Sequence, residues 1–181
     1  FLLNHWLPDA QIDAVEIEPE WAAKHPRTTL GNALHLPWPD DTFDAICTSP
    51  AYGNRMADKY LPDGTQRNTY ANGLGRNLHP DNGGAFQWGE RYRVFHQRAW
   101  LEARRVLACG GLFVLNIKDH VRNGQRQYVA AWHIQTLVAL GFRLLRCEQI
   151  EVPSNSYGQN GEARIPYESI ILFRLEEKRG H

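Results

Sequence analysis

In the stretch Phe43-Asp44-Ala45-Ile46-Cys47-Thr48-Ser49-Pro50-Ala51-Tyr52-Gly53-Asn54, a mostly apolar run gives way at Ser49-Pro50 to turn-forming residues. An apolar run of this length bounded by turn signals predicts a buried strand that stops at Ser49. In open α/β sheets, ligands bind beyond the carboxyl ends of strands, so Ser49 to Asn54 lie where chemistry is expected.

On the N-terminal side, Leu2 to Leu7 is apolar at helical spacing and is stopped by Pro8-Asp9, and Ile12 to Ile17 alternates like a short strand. Glu18-Pro19-Glu20-Trp21-Ala22-Ala23-Lys24 carries a proline and acids in a first turn, which predicts a helix ending at His25-Pro26. Thr28-Thr29-Leu30 predicts a strand ending at Gly31-Asn32.

On the C-terminal side, Gly53 to Gly89 holds seven glycines and no sustained period, the signature of a long functional loop inserted at 53–89. Tyr92, Phe95, Ala99, Ala103 and Val106 recur at helical spacing, and Cys109-Gly110-Gly111 is expected to close that helix before a strand from Leu112 to Ile117. Ala130, Ile134, Leu137 and Val138 mark a second long helix capped by Gly141, and Phe142 to Val152 and Tyr167 to Leu175 supply two final strands. Alternating strands and helices predict a single α/β domain over 1–181, with a doubly wound, mostly parallel, Rossmann-like sheet ending in an antiparallel hairpin.

The 181 residues balance 20 Lys and Arg against 20 Asp and Glu, which excludes a protein that grips nucleic acid by bulk charge and makes any polynucleotide contact local. The three cysteines are too few and too scattered for a disulfide framework, and buried free thiols are expected. No histidines pair at metal-ligand spacing on one helix and no carboxylates cluster, so no metal is expected. No apolar run spans a membrane, and the start at Phe1 has neither a basic leader nor a cleavage site, which points to the cytoplasm. Oligomeric state is not written in the sequence.

Ser49-Pro50-Ala51-Tyr52 resembles the signature of the DNA amino-methyltransferases that modify cytosine N4 or adenine N6: Ser, Asp or Asn, then Pro-Pro and an aromatic. Ala51 departs from it where the family carries its second proline. The resemblance implies S-adenosylmethionine as cofactor, DNA as partner and site-specific methyl transfer to an exocyclic amine, as in bacterial and phage restriction-modification enzymes. Such an amine is a poor nucleophile because its lone pair is delocalised into the ring. In the family reading the Ser49 hydroxyl and the Pro50 carbonyl accept its two hydrogens, and Tyr52 stacks on the extruded base.

Ala14 to Trp21 is similar to the family's second motif, which implies that Glu16, beside Ile17, accepts hydrogen bonds from the cofactor ribose, with Glu18 as helix-start chemistry. Gly31 to Pro37 is similar to the third motif, placing Asn32 and Ala33 at the adenine, and Ser49 also borders the cofactor. Asn54, Arg55 and Lys118 are the expected substrate contacts, with the loops 53–89 and 154–166 closing over the base. Cys47 lacks the preceding proline of enzymes that attack cytosine C5 with a thiolate. A Gly-rich first motif should precede Ile12; the resemblance therefore implies an N-terminally truncated chain, without the first strand and its loop, that binds the cofactor poorly by itself. The rivals are an RNA guanine-N2 methyltransferase and a degenerate methyltransferase-like binding module, with a small-molecule or protein methyltransferase last.

Overall fold

The computed structural model describes residues 9–57, 59–61, 69–152 and 163–176, with the side chain of Arg55 excepted. The expected helix end at Leu2 to Leu7 and most of the loop 154–166 lie outside these residues.

The N-terminal unit is β1 (Ala14–Glu16), α1 (Pro19–Ala22) and β2 (Thr28–Leu30), with β1 and β2 paired in parallel. Pro19 opens α1 at a position where its missing N–H costs nothing, as its place in the sequence predicts. Gly31 follows β2 because an added Cβ there would sit 2.9 Å from Val15 Cγ2 on the neighbouring strand.

β3 (Phe43–Thr48) leads into the Ser49-Pro50 segment. It pairs on one side only, with β4 (Leu107–Ile117) in parallel, and Ala45 and Cys47 face solvent while Ile46 packs against the core. The strand expected to be buried thus has one open face. All three cysteines are exposed, against the expectation of buried thiols; Cys109 lies in the irregular start of β4, and Cys147 on an outer strand.

The loop 53–89 is not featureless. It contains short 3-10 turns at Arg55–Ala57 and Gly83–Ala85 and a helix α2 (Tyr70–Leu74), capped by the Thr69 hydroxyl and ended by Gly75 at φ +80°.

Helix α3 (Glu90–Val106) buries Tyr92, His96, Ala99, Trp100, Ala103 and Val106 on one stripe, with Glu90 in its first turn and Arg104 and Arg105 in its last. Cys109-Gly110-Gly111 does not cap it. The chain turns extended at Leu107 and passes directly into β4, and the glycines fall in an irregularity between the Phe43–Leu107 and Ala45–Leu112 pairings. Arg105 and Glu102 anchor the segment before β3: the guanidinium donates to the carbonyls of Trp38 (2.8 Å) and Leu36 (3.0 Å), while Glu102 accepts from the Leu36 N–H (2.8 Å).

After β4 come a small hairpin, β5 (His120–Arg122) and β6 (Gln125–Gln127), then α4 (Val129–Ala139), β7 (Phe142–Glu151) and β8 (Tyr167–Leu175). The last strand lies between β4 and β7, antiparallel to both, so the sheet order is β3-β4-β8-β7. Phe113, Leu115 and Ile117 of β4 and Ile171, Phe173 and Leu175 of β8 form the centre of the core with Val129 and Leu137 of α4. Among the described residues no helix is long and apolar enough to cross a membrane.

Candidate active site

The carboxyl ends of β1 and β3 border a cavity of about 320 Å³ lined by Val15, Glu16 and Ile17 on one side and by Thr48, Ser49, Pro50 and Ala51 on the other. Phe95, His96, Ala99 and Trp100 of α3 line it as well, and Asp81 to Gly84 bring the long loop to it. That volume lies at the lower end of the range for small-molecule sites. Of the residues singled out in the sequence, Glu16, Ile17, Ala33, Ser49 and Pro50 meet here.

Glu16 is held by its own backbone. Its Oε1 accepts from the N–H groups of Ile17 (2.8 Å) and Glu18 (2.9 Å), which leaves the second carboxylate oxygen without a partner among the described residues. Glu18 is committed elsewhere: completely buried, it accepts from the His79 N–H (2.7 Å), Asn82 Nδ2 (2.9 Å) and Arg76 (2.8 Å). Burial raises its pKa, but these donors outweigh it and hold the carboxyl below its ordinary range.

Asn32 is not among the cavity-lining residues. Its Oδ1 accepts from the Leu34 N–H (2.9 Å) in a local turn and its amide donates to Asp81 (3.2 Å), so Asp81 reaches the cavity wall in its place. Asn54 likewise closes a turn, accepting from the Met56 N–H at 2.9 Å. Lys118 follows the end of β4 and is half-buried.

The Ser49 side chain is exposed, and its Oγ is 3.4 Å from Tyr52 Oη, at the long limit of a hydrogen bond. Tyr52 packs partly against the core; burial raises its phenol pKa, with the nearby Glu168 carboxylate acting in the same direction and Ser49 against it. The phenol therefore keeps its proton at neutral pH and is a donor.

The turn after Ser49-Pro50 has supports that periodicity does not disclose. Tyr92 Oη donates to the Ala51 carbonyl at 2.8 Å and lies 2.9 Å from His133 Nε2, while Trp100 Nε1 donates to His133 Nδ1 at 3.0 Å. Gly53, at φ +66°, accepts from the Trp88 N–H at 2.7 Å, and a Cβ on Gly53 would stand 2.8 Å from that nitrogen. Gly53→Ala is accordingly expected to destabilise the protein by about 2 kcal/mol, from left-handed strain and the lost approach to Trp88. A lowered urea midpoint at unchanged m would register it; an unchanged midpoint would refute it.

Among the described residues His120 keeps both ring nitrogens buried and without partners, and no three metal-ligating side chains come together.

No protein-family model and no curated protein matches the sequence. Solved structures do. A candidate DNA modification methylase from Thermus thermophilus superposes with a TM-score of 0.52 at 15% identity, over 94% of this chain and 56% of the methylase. Its complex with S-adenosyl-L-methionine gives 0.50 at 17%, over 94% and 58%. A candidate methyltransferase bound to the Trm112 activator from Haloferax volcanii gives 0.55 at 12%, over 99% and 78%, and the [4+2]-cyclase SpnF gives 0.54 at 15%, over 96% and 71%. The chain spans little more than half the length of the Thermus methylase. It has the Rossmann-like α/β fold that these structures share.

Proposed function

We propose that this chain is the catalytic part of an S-adenosylmethionine-dependent methyltransferase acting on an exocyclic amino group of a DNA base, cytosine N4 or adenine N6. The observation that carries the reading is the Ser49-Pro50-Ala51-Tyr52 turn at the carboxyl end of β3, bordering a cavity whose opposite wall presents the half-free carboxylate of Glu16. A fold alone does not choose a reaction, and the similarity to a cyclase illustrates the point.

The residues present fit the cofactor. Glu16 keeps one oxygen for ribose hydroxyls, and Ile17 and Ala33 offer apolar walls for the adenosine. When bound, the cofactor supplies an electrophilic methyl group on a sulfonium. Ser49 Oγ and the Pro50 carbonyl, both acceptors, pull on the two amine hydrogens and favour the pyramidal nitrogen whose lone pair attacks in line. Tyr52, as an uncharged phenol, offers its ring to the base and accepts from the Ser49 hydroxyl, which leaves the Ser49 lone pairs for the amine.

The test is methyl transfer from labelled cofactor to unmethylated DNA by the full-length protein, read as modified nucleosides by mass spectrometry, with cofactor binding measured in parallel. Ser49→Ala is expected to lower the rate by on the order of 10²-fold with cofactor affinity unchanged. Label in RNA alone would transfer the reading to the guanine-N2 class. Cofactor binding without label in either polymer would leave a binding module, which the alanine at position 51 would suit.

A further inference from the structure

We propose that Trp100, His133 and Tyr92 form a one-way hydrogen-bond relay that ends on the Ala51 carbonyl, pins the Ser49–Tyr52 turn and so aims the two acceptors of the methyl-transfer site. Its catalytic consequence rests on the function proposed above; the relay itself does not.

The direction follows from the donor inventory. An indole N–H can only donate, so His133 Nδ1, 3.0 Å from Trp100 Nε1, carries a bare lone pair. The neutral ring then holds its proton on Nε2 and donates to Tyr92 Oη at 2.9 Å. The phenolic proton is left for the Ala51 carbonyl at 2.8 Å, which can only accept. One residue without an acceptor thus fixes every proton in the chain. Tyr92 and His133 are fully buried and Trp100 is 5% exposed, so water does not compete. His96 adds a restraint: its ring lies 4.0 Å from that of Tyr92 and its Nδ1 bonds the Tyr92 carbonyl at 2.8 Å.

The relay acts at Ala51, which stands where the family motif carries its second proline. The Pro50 carbonyl belongs to the peptide plane before Ala51 and the Ala51 carbonyl to the plane after it, so only the two dihedrals of Ala51 connect them. A proline at 51 would lock one of those dihedrals. Alanine leaves it free, and fixing the Ala51 carbonyl from the core restores the constraint. Tyr92 and Trp100 come from α3 and His133 from α4, so residues of both helices form the chain of bonds whose last member, Tyr92, holds this atom. Tyr92 and His133 are positioning residues: neither is among the cavity-lining residues.

Tyr92→Phe removes the last donor and keeps the ring. Two measurements on the full-length protein decide the matter. The first needs no activity: nitrogen NMR of His133 should show Nδ1 bare and Nε2 protonated, and the Ala51 carbonyl-carbon resonance should move upfield in Tyr92→Phe, as a carbonyl that loses its donor does, while those of β4 and β8 stay in place. The second reads the consequence: kcat should fall roughly ten-fold with cofactor Kd unchanged. Ala51→Pro placed in the Tyr92→Phe background should recover most of that loss, since among the described residues the Ala51 N–H bonds to nothing a proline would remove. A His133 protonated on Nδ1, or an Ala51 carbonyl resonance unmoved in Tyr92→Phe, overturns the relay. The expected tautomer and carbonyl shift without methyl transfer by the parent protein overturn the proposed function and leave the relay standing. If the parent protein is active, an unchanged kcat in Tyr92→Phe, or a loss that Ala51→Pro does not repair, overturns the positioning role.

Discussion

Glu18→Ala lowers the free energy of unfolding by about 3 kcal/mol, on the expectation that each hydrogen bond to a buried charge contributes roughly 1.5–3 kcal/mol and that part of the desolvation cost is recovered. Three donors lose their acceptor at once: the His79 N–H, the Asn82 amide and the Arg76 guanidinium. They are not left equally exposed to loss. Arg76 is partly open to solvent and still has Glu20 at 2.7 Å, so its charge stays paired. Asn82 must also keep its Oδ1 on the Gly84 N–H at 2.8 Å, which holds the turn beside the cavity. Glu18→Gln separates the effects. An amide oxygen can replace Oε1 toward His79 and Asn82, but its NH2 group meets Arg76 donor to donor, so about half of the alanine effect is expected. Urea unfolding of both variants checks this, with hydrogen exchange at 79–84 as the local readout. Equal stability of Glu18→Ala and the parent protein would show that the loop is held by other contacts.

The reach of the sequence can be seen by setting Glu18 beside Glu16. Proline and acids at a first turn mark the start of α1, although it ends at Ala22, before the expected His25-Pro26, and the order of strands and helices accounts for the fold from Ala14 to Leu175. The role of Glu18 was not legible as more than helix-start chemistry, because its partners lie 58 to 64 residues away in a loop without periodicity. His96 and His133 escaped for the same reason. Each sits in the apolar stripe of a helix, where spacing reports burial but not what a ring nitrogen meets. The β5–β6 hairpin does have a local signal: Asn123-Gly124, both at positive φ, is the dipeptide that a tight turn of this kind selects. Local rules also misplaced the end of α3. Gly110-Gly111 after a helix resembles a cap, but here a tertiary pairing with Phe43 starts the strand at Leu107.

The two buried histidines make the protein acid-labile at a higher pH than its carboxylates do. Burial lowers the His96 pKa from 6.5 to about 4, against a raising effect from the Tyr92 carbonyl, and burial together with the neighbouring His96 lowers that of His133 well below its ordinary value. Both rings are neutral in the folded state, while the unfolded chain protonates them near 6.5, so between about 6.5 and 4 the unfolded state binds more protons. Unfolding free energy must then fall as pH falls, by about 1.4 kcal/mol per pH unit for each ring, and by about 3 kcal/mol in all for His96. Glu18 and Glu102, held below the ordinary carboxylate range, lose their contribution only at lower pH, so the two windows are separable. Denaturant midpoints at pH 7, 6 and 5 should therefore fall steadily, and His96→Gln, whose amide can still donate to the Tyr92 carbonyl, should reduce the slope by about half. A slope half as steep would mean that one of the rings is charged or hydrated in the folded protein, and a stability that stays flat from pH 7 to 5 would mean that both are. A His133 charged in the folded protein could not accept from the Trp100 indole, so a flat profile would also contradict the relay that ends on Ala51.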